Sequence, residues 1–402
     1  MVKRRRRWMA LLGLGLFASA VATTYLSDLA HFAQRDLLSA TRSGIPRGWL
    51  DAAPLLGLVI AVALGWRWRP RWALVVGVVV VLGSAGVFVA DPTSARLAVA
   101  AARLSYSMLG FAAVTSAARW YAPDEPLRFV TCLVLLAWAL PAGGVGGRLL
   151  SGVLEETPDW LPLALAGYAT LCCVGWALVA PVGEGASVLP QSRIGPYARG
   201  ASACLLLTSV ALLDSLPDYD LWGLDARSTM PGVALVSGAT WAGALLFLAT
   251  LAWLRRRGTT PSLIRWAAGA ALVATCGWLA IELTSLPGGP DMRAPVDYDP
   301  AELPPLLGLG HLAKGWAATA LSPLLASWVL IGTERRHGAA ALGLALLGPA
   351  ALWIVWTDVS HAEWLRFLVA GLAAVVALVL LAASGALESS FAPRARDEPR
   401  AF

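Results

Sequence analysis

Arg119-Trp120-Tyr121-Ala122-Pro123-Asp124-Glu125-Pro126-Leu127-Arg128 is a short polar hinge between two long apolar runs. Before it lies Leu97–Ala118. After it comes a run that continues into Pro141-Ala142-Gly143-Gly144-Val145-Gly146-Gly147 and ends near Gly152. Each run is long enough to cross a bilayer as a helix, which takes about 20 residues. The hinge has no room for a domain, so the two helices are antiparallel neighbours. One arginine, Arg103, lies well inside the first run. Glycines four apart, such as Gly143 and Gly147, strip side chains from one helix face, and with Gly144 and Gly146 beside them they predict a close helix contact.

Composition extends this reading to the whole chain. Hydrophobic residues make up 58% of the sequence and charged residues 14%, with a mean hydropathy of +0.67. Those values exclude a soluble domain of this length. Many of the 19 Trp sit at the ends of apolar runs, where amphipathic rings favour the membrane–water interface. The five cysteines (Cys132, Cys172, Cys173, Cys204, Cys276) all fall inside apolar runs. They spell neither a disulfide framework nor a metal site. Positive residues gather at helix ends rather than on one face, which argues against a nucleic-acid partner. No phosphate loop, nucleophile elbow or paired-carboxylate pattern stands out, so no enzyme and no cofactor is expected.

In chain order the apolar periodicity predicts twelve spans: 8–30, 50–66, 72–90, 96–118, 128–150, 160–181, 200–217, 231–254, 264–285, 304–332, 338–357 and 364–387. The first has the basic start and small residues of a signal peptide. We keep it as a helix because its removal leaves an odd count and because it has a counterpart later in the chain. With a cytoplasmic N-terminus, the inner loops carry Arg67/Arg69/Arg71, Arg119/Arg128, Arg193/Arg199, Arg255/Arg256/Arg257/Arg265, Arg335/Arg336 and Arg394/Arg396/Arg400. Most acids then fall on the outer side. This is the pattern of the positive-inside rule, with both termini cytoplasmic. The expected organisation is an N-terminal six-helix half (1–181), a cytoplasmic linker (182–199), a C-terminal six-helix half (200–387) and a disordered cytoplasmic tail (388–402). The localisation this implies is a bacterial-type inner (plasma) membrane.

The halves repeat one another. Leu38-Ser39-Ala40-Thr41-Arg42-Ser43-Gly44-Ile45-Pro46 follows the first helix, and Leu224-Asp225-Ala226-Arg227-Ser228-Thr229-Met230-Pro231 follows the seventh. Each leads into an apolar helix and then a basic turn, Trp66-Arg67-Trp68-Arg69-Pro70-Arg71 or Arg255-Arg256-Arg257. The Arg-Trp-Tyr-Ala-Pro hinge after helix four, the glycine cluster ending helix five and the parallel repeat together resemble the major facilitator superfamily. That resemblance implies an all-α polytopic membrane protein of 12 transmembrane helices, built as two six-helix pseudo-repeats. It also implies a secondary transporter working by alternating access. The basic turns stand where the family carries G-x-x-x-D-R-x-G-R-R between helices two and three. Here the acid and the second glycine are missing.

An ionisable residue inside a span is costly and therefore a functional candidate. Arg103 lies about 10 Å from the outer end of helix four, at about 1.5 Å per residue. His311 and Lys314 lie at similar depth in helix ten, spaced to share a face. Sliding Trp120 onto Trp328 brings Arg103 opposite His311, one turn from Lys314. The resemblance implies that helices one, four, seven and ten line the central cavity, which makes Arg103, His311 and Lys314 the substrate-binding candidates. The competing role is a gate. Asp28, His31, Arg35 and Asp36 end helix one, Asp214 and Asp218 end helix seven and Glu282 ends helix nine. These groups could pair with Arg103 and Lys314 as a salt-bridge lattice, or relay a proton through a histidine.

No histidine has a partner at metal-ligand spacing. No Asp or Glu falls in the middle third of any span, which weakens a multidrug-exporter reading. Two function classes stay open. One is a transporter of a small anionic or zwitterionic organic solute. The other is a non-transporting membrane component of an envelope or assembly complex. The expected partners are the lipid bilayer and a small-molecule solute, with both a monomer and a member of a complex left open.

Overall fold

The computed structural model describes residues 2–37, 47–67, 70–91, 94–118, 126–153, 160–179, 194–215, 230–258, 262–284, 305–331, 333, 335–355 and 363–391. Twelve α-helices and no strand occur among them. They are α1 (Val2–Leu37), α2 (Arg47–Arg67), α3 (Pro70–Ala90), α4 (Ala95–Ala117), α5 (Pro126–Val153) and α6 (Leu161–Val179). The second set is α7 (Ile194–Ser215), α8 (Met230–Arg257), α9 (Leu263–Thr284), α10 (Pro305–Leu330), α11 (Arg335–Val355) and α12 (Glu363–Phe391). In hydrocarbon every backbone polar group needs an internal partner, so an apolar run of this length becomes a helix. Hydroxyls inside the spans obey the same constraint. Thr23, Ser84, Thr115 and Thr275 donate to carbonyls four residues back at 2.6–2.9 Å.

The chain is a polytopic, all-α membrane protein. Eight of the helices are long and apolar enough to cross a bilayer, and 52–65, 337–352 and 368–384 form shorter apolar helices. α10 belongs to neither group despite its 26 residues. His311, Lys314 and several small residues dilute its hydropathy.

Every predicted span has its helix, and the ends differ by four or more residues at four places, the first being the start of α1 at Val2 rather than 8. α1 runs on to Leu37, α12 runs to Phe391 beyond the expected end at 387, and α7 begins at Ile194. Residues 194–199, expected within the linker, and 388–391, expected within the tail, are therefore helical. The expected boundaries were drawn where apolarity stops, whereas a helix can continue past the hydrocarbon on its own backbone bonds. The hinge 119–125, the outer loops 38–46 and 286–303, linker residues 182–193 and tail residues 392–402 lie outside the described residues.

Packing divides the chain into two units. One comprises Met1–Ala186 with Ala350–Thr357, and the other Ser187–Pro349 with Asp358–Phe402. Only the short segment 350–357 departs from a division into an N-terminal and a C-terminal half. In the first unit α4 packs on α2 and α3, α3 on α6, and α1 on α3, α4 and α6. The second unit repeats this with α10 on α8 and α9, α9 on α12, and α7 on α9, α10 and α12. These contacts among α1, α2, α3, α4 and α6 thus recur among α7, α8, α9, α10 and α12. The core of the first unit includes a cluster of Tyr25, Leu26, Leu29, Phe88, Ala95, Ala98, Val99 and Ala102, contributed by α1, α3 and α4.

Candidate functional site

Two glycine contacts set the register of the polar positions. In the first unit a Cβ on Gly57 of α2 would fall on the carbonyl oxygen of Leu104 in α4. In the second unit a Cβ on Gly243 of α8 would fall on the carbonyl oxygen of Leu312 in α10. Without side chains at these points the paired backbones come into direct contact. Leu104 and Leu312 are thereby equivalent, and the same offset makes Arg103 the counterpart of His311. It also makes Tyr106 the counterpart of Lys314.

α10 is held on two sides at this turn. Gly315 meets the backbone of Thr240 on α8, completing the pair begun by Gly243. On the other side a Cβ at Gly277 of α9 would stand 2.8 Å from the carbonyl oxygen of Gly310 and 3.1 Å from the backbone nitrogen of Lys314. A Cβ at Gly310 would likewise stand 2.8 Å from the carbonyl oxygen of Gly277. The turn bearing His311 and Lys314 is therefore fixed by backbone contacts before any side chain acts, a condition for precise recognition. His311 is buried, at 2% exposure, and Lys314 is half-buried.

In the first unit the counterpart positions are more open. Arg103 is exposed and Tyr106 is 38% exposed. Between them Ser105 is buried and donates to the Ala102 carbonyl at 2.6 Å. Sequence reasoning missed Tyr106 and the five glycines 57, 243, 277, 310 and 315. The slide of Trp120 onto Trp328 already carries Tyr106 onto Lys314, so the signal for that residue was available.

The expected gating residues fall on described helices, with their side chains outside the described residues. Asp28, His31 and Arg35 lie along α1 at spacings that place them on a common face. Asp214 is the penultimate residue of α7 and Glu282 lies in the last turn of α9. Among the glycines of α5, Gly143 and Gly147 face α1. A Cβ on Gly143 would stand 2.5 Å from the Phe17 carbonyl oxygen and 2.7 Å from the Ala20 Cβ. One on Gly147 would stand 2.9 Å from the Val21 carbonyl oxygen. Gly144 and Gly146 meet nothing closer than 3.5 Å.

Each unit also has an arginine clasp near helix ends. Arg199 of α7 donates from Nη1 to the carbonyls of Trp328 (3.1 Å) and Ile331 (3.0 Å) at the end of α10. Its guanidinium lies 5.9 Å from the centre of the Trp328 ring. Arg71 of α3 donates from Nη1 to the Ala177 carbonyl of α6 at 2.9 Å and lies 5.7 Å from the centre of the Trp176 ring. Both put a charge on terminal carbonyls that have no partner within their own helix. Beside the Arg199 clasp, the Tyr197 hydroxyl and His337 Nδ1 are 3.0 Å apart. Among the described residues no group of His, Cys, Asp and Glu could hold a metal ion.

No protein-family model and no curated relative matches the sequence. Solved structures match its fold. The human organic anion transporter MFSD10 (TETRAN) shares 19% identity at a TM-score of 0.60, covering 93% of this chain and 99% of that one. The major facilitator proton:xylose symporter XylE, bound to 6-bromo-6-deoxy-D-glucose, shares 12% identity at a TM-score of 0.64, covering 95% and 96%. A bacterial homologue of the iron transporter ferroportin, in an outward-facing state, shares 14% identity at a TM-score of 0.57, covering 95% and 99%. The chain has the fold of the major facilitator superfamily, in a divergent sequence.

Proposed function

We propose that this protein is a secondary transporter that moves a small organic solute, anionic or zwitterionic, by alternating access. It acts in a bacterial-type inner membrane with both termini cytoplasmic. The observation that carries this reading is the repeated register of α4 and α10, which makes Arg103 and His311 counterparts, each with a polar residue one turn on. Arg103 and Lys314 supply positive charge, and His311 and Tyr106 supply groups that donate or accept hydrogen bonds. Charge-assisted hydrogen bonds to a carboxylate or phosphate gain strength away from water. A cationic solute would meet like charge instead. The fold neighbours differ in solute, one described as an organic anion transporter, one as a xylose symporter and one as a homologue of an iron transporter, so the solute class rests on the charges of Arg103 and Lys314.

Asp28, His31, Arg35, Asp214 and Glu282 serve as the gate or proton relay in this reading. The alternative is a membrane component of an envelope or assembly complex that keeps the fold without transporting. It is favoured by the 66–71 turn, which lacks the family's acid. The deciding experiment is a thermal-shift screen of the detergent-solubilised protein against anionic and cationic metabolites, repeated with Arg103→Gln. An anion that stabilises the parent protein and not the variant is the expected result. Equal stabilisation of both removes Arg103 as a contact, and a response to cations alone overturns the solute class. Rescue of Arg103→Glu by a reciprocal change at an acid would assign Arg103 to the gate.

A further inference from the structure

We propose that the C-terminal end of α8 binds the phosphodiester headgroup of an anionic phospholipid, with Arg255, Arg256 and Arg257 as its charges and Trp253 as its aromatic wall. The three arginines form the last turn of α8, and all three are exposed. Gly258 follows with φ +67 and returns its N–H to the Arg255 carbonyl at 3.3 Å. That left-handed residue stops the helix at once, which leaves the three arginines on its last turn. Arg265 lies in the first turn of α9. It is oriented by its Nε–H, which donates to Ser384 Oγ of α12 at 2.9 Å.

The ordinary explanation for arginines at a helix C-terminus is the macrodipole, which amounts to roughly half a negative charge. Three guanidinium groups exceed that several-fold. The chain has no Asp or Glu between Asp225 and Glu282. Among the described residues no carboxylate pairs with these arginines. A lipid phosphodiester would supply counter-charge to this turn.

The surroundings select a lipid. Arg257 lies over the Trp253 ring, 4.1 Å from its centre, and Trp253 is itself 50% exposed. A tryptophan stacked by a cation at the end of a span is suited to the headgroup layer. Below it, Leu245 and Leu246 are 58% and 51% exposed and offer an apolar surface to acyl chains. Only 28% of this span is buried within the protein, the lowest share of the eight long spans. α8 thus presents an acyl-facing strip that leads directly to the arginines. Anionic headgroups are attracted to such juxtamembrane clusters.

The test uses the full chain in mild detergent with equimolar phosphatidylglycerol and phosphatidylcholine, read by native mass spectrometry. The parent protein should retain phosphatidylglycerol several-fold over phosphatidylcholine. R255Q/R256Q/R257Q should lose that preference, and R255K/R256K/R257K should keep most of it. Arg256→Gln alone disturbs insertion least and should reduce the preference measurably. Trp253→Leu should weaken retention of both lipids while leaving the preference for phosphatidylglycerol. Equal retention of the two lipids by the parent protein overturns the proposal. So does an undiminished preference in Arg256→Gln and the triple Gln variant, because the arginines would then serve orientation only. Neither result depends on whether the protein moves a solute.

Discussion

Gly243 stands directly against the backbone carbonyl of Leu312, so closely that a Cβ on the glycine would clash with the oxygen. Gly57 and Leu104 repeat this relationship in the other half. The two contacts act as rulers. They fix which turn of α4 corresponds to which turn of α10, and they fix it through backbone atoms that side-chain variation does not move.

Replacing Gly243 by Val should therefore be severe. The clashing partner is backbone, so neither helix can relieve the overlap by a rotamer change, and the cost should exceed the about 1–3 kcal/mol of ordinary overpacking. Gly238 lies on the same helix and meets nothing within 4 Å. Gly238→Val should leave the monodisperse yield on size exclusion near that of the parent, while Gly243→Val loses most of it.

The α5 glycines separate into two classes. Gly143→Leu and Gly147→Leu should sharply reduce folded yield, because both positions face α1 backbone. Gly144→Leu and Gly146→Leu should be milder, since side-chain atoms at 3.5 Å can give way. Gly13→Leu, with nothing within 4 Å, should be close to neutral. Thermal melts of the five variants in one detergent give the ranking, and equal losses at all five would remove the packing argument.

Arg199→Ala leaves two carbonyls at the end of α10 without their charged donor. Hydrogen bonds to charged groups predict a loss on the order of 2–4 kcal/mol. Arg199→Lys should recover part of it, because an ammonium reaches one carbonyl but cannot stack its plane on Trp328. The order parent, Lys, Ala in thermal stability is the expected outcome, and an Ala variant as stable as the parent would show that the clasp contributes nothing.

Orientation is tested by labelling. With both termini cytoplasmic, Ser39→Cys and Ala294→Cys, each in a background without the five native cysteines, should react with an impermeant maleimide in intact cells. Labelling only after lysis would reverse the orientation.

The number and order of the helices could be read from the sequence alone, because a span is set by a local quantity: enough consecutive apolar residues to cross about 30 Å of hydrocarbon. Repetition was equally legible, since the basic turns and the Trp120–Trp328 alignment are written in one dimension. The candidate cations followed from the same rule, being the exceptions within apolar runs. What sequence could not supply is which face of each helix meets protein and which meets lipid, because both environments are apolar and favour the same residues. The spacing of Gly143 and Gly147 announced a contact without naming Phe17 and Val21 as its partners. Nothing local distinguished Gly243, which meets a backbone, from Gly238, which meets open space. Arg199 read as a linker charge until the end of α10 was brought beside it. Arg103 and His311 look alike as intramembrane exceptions, yet one is exposed and the other buried. Those distinctions depend on atoms far apart in the chain, and only the packing of the helices brings them together.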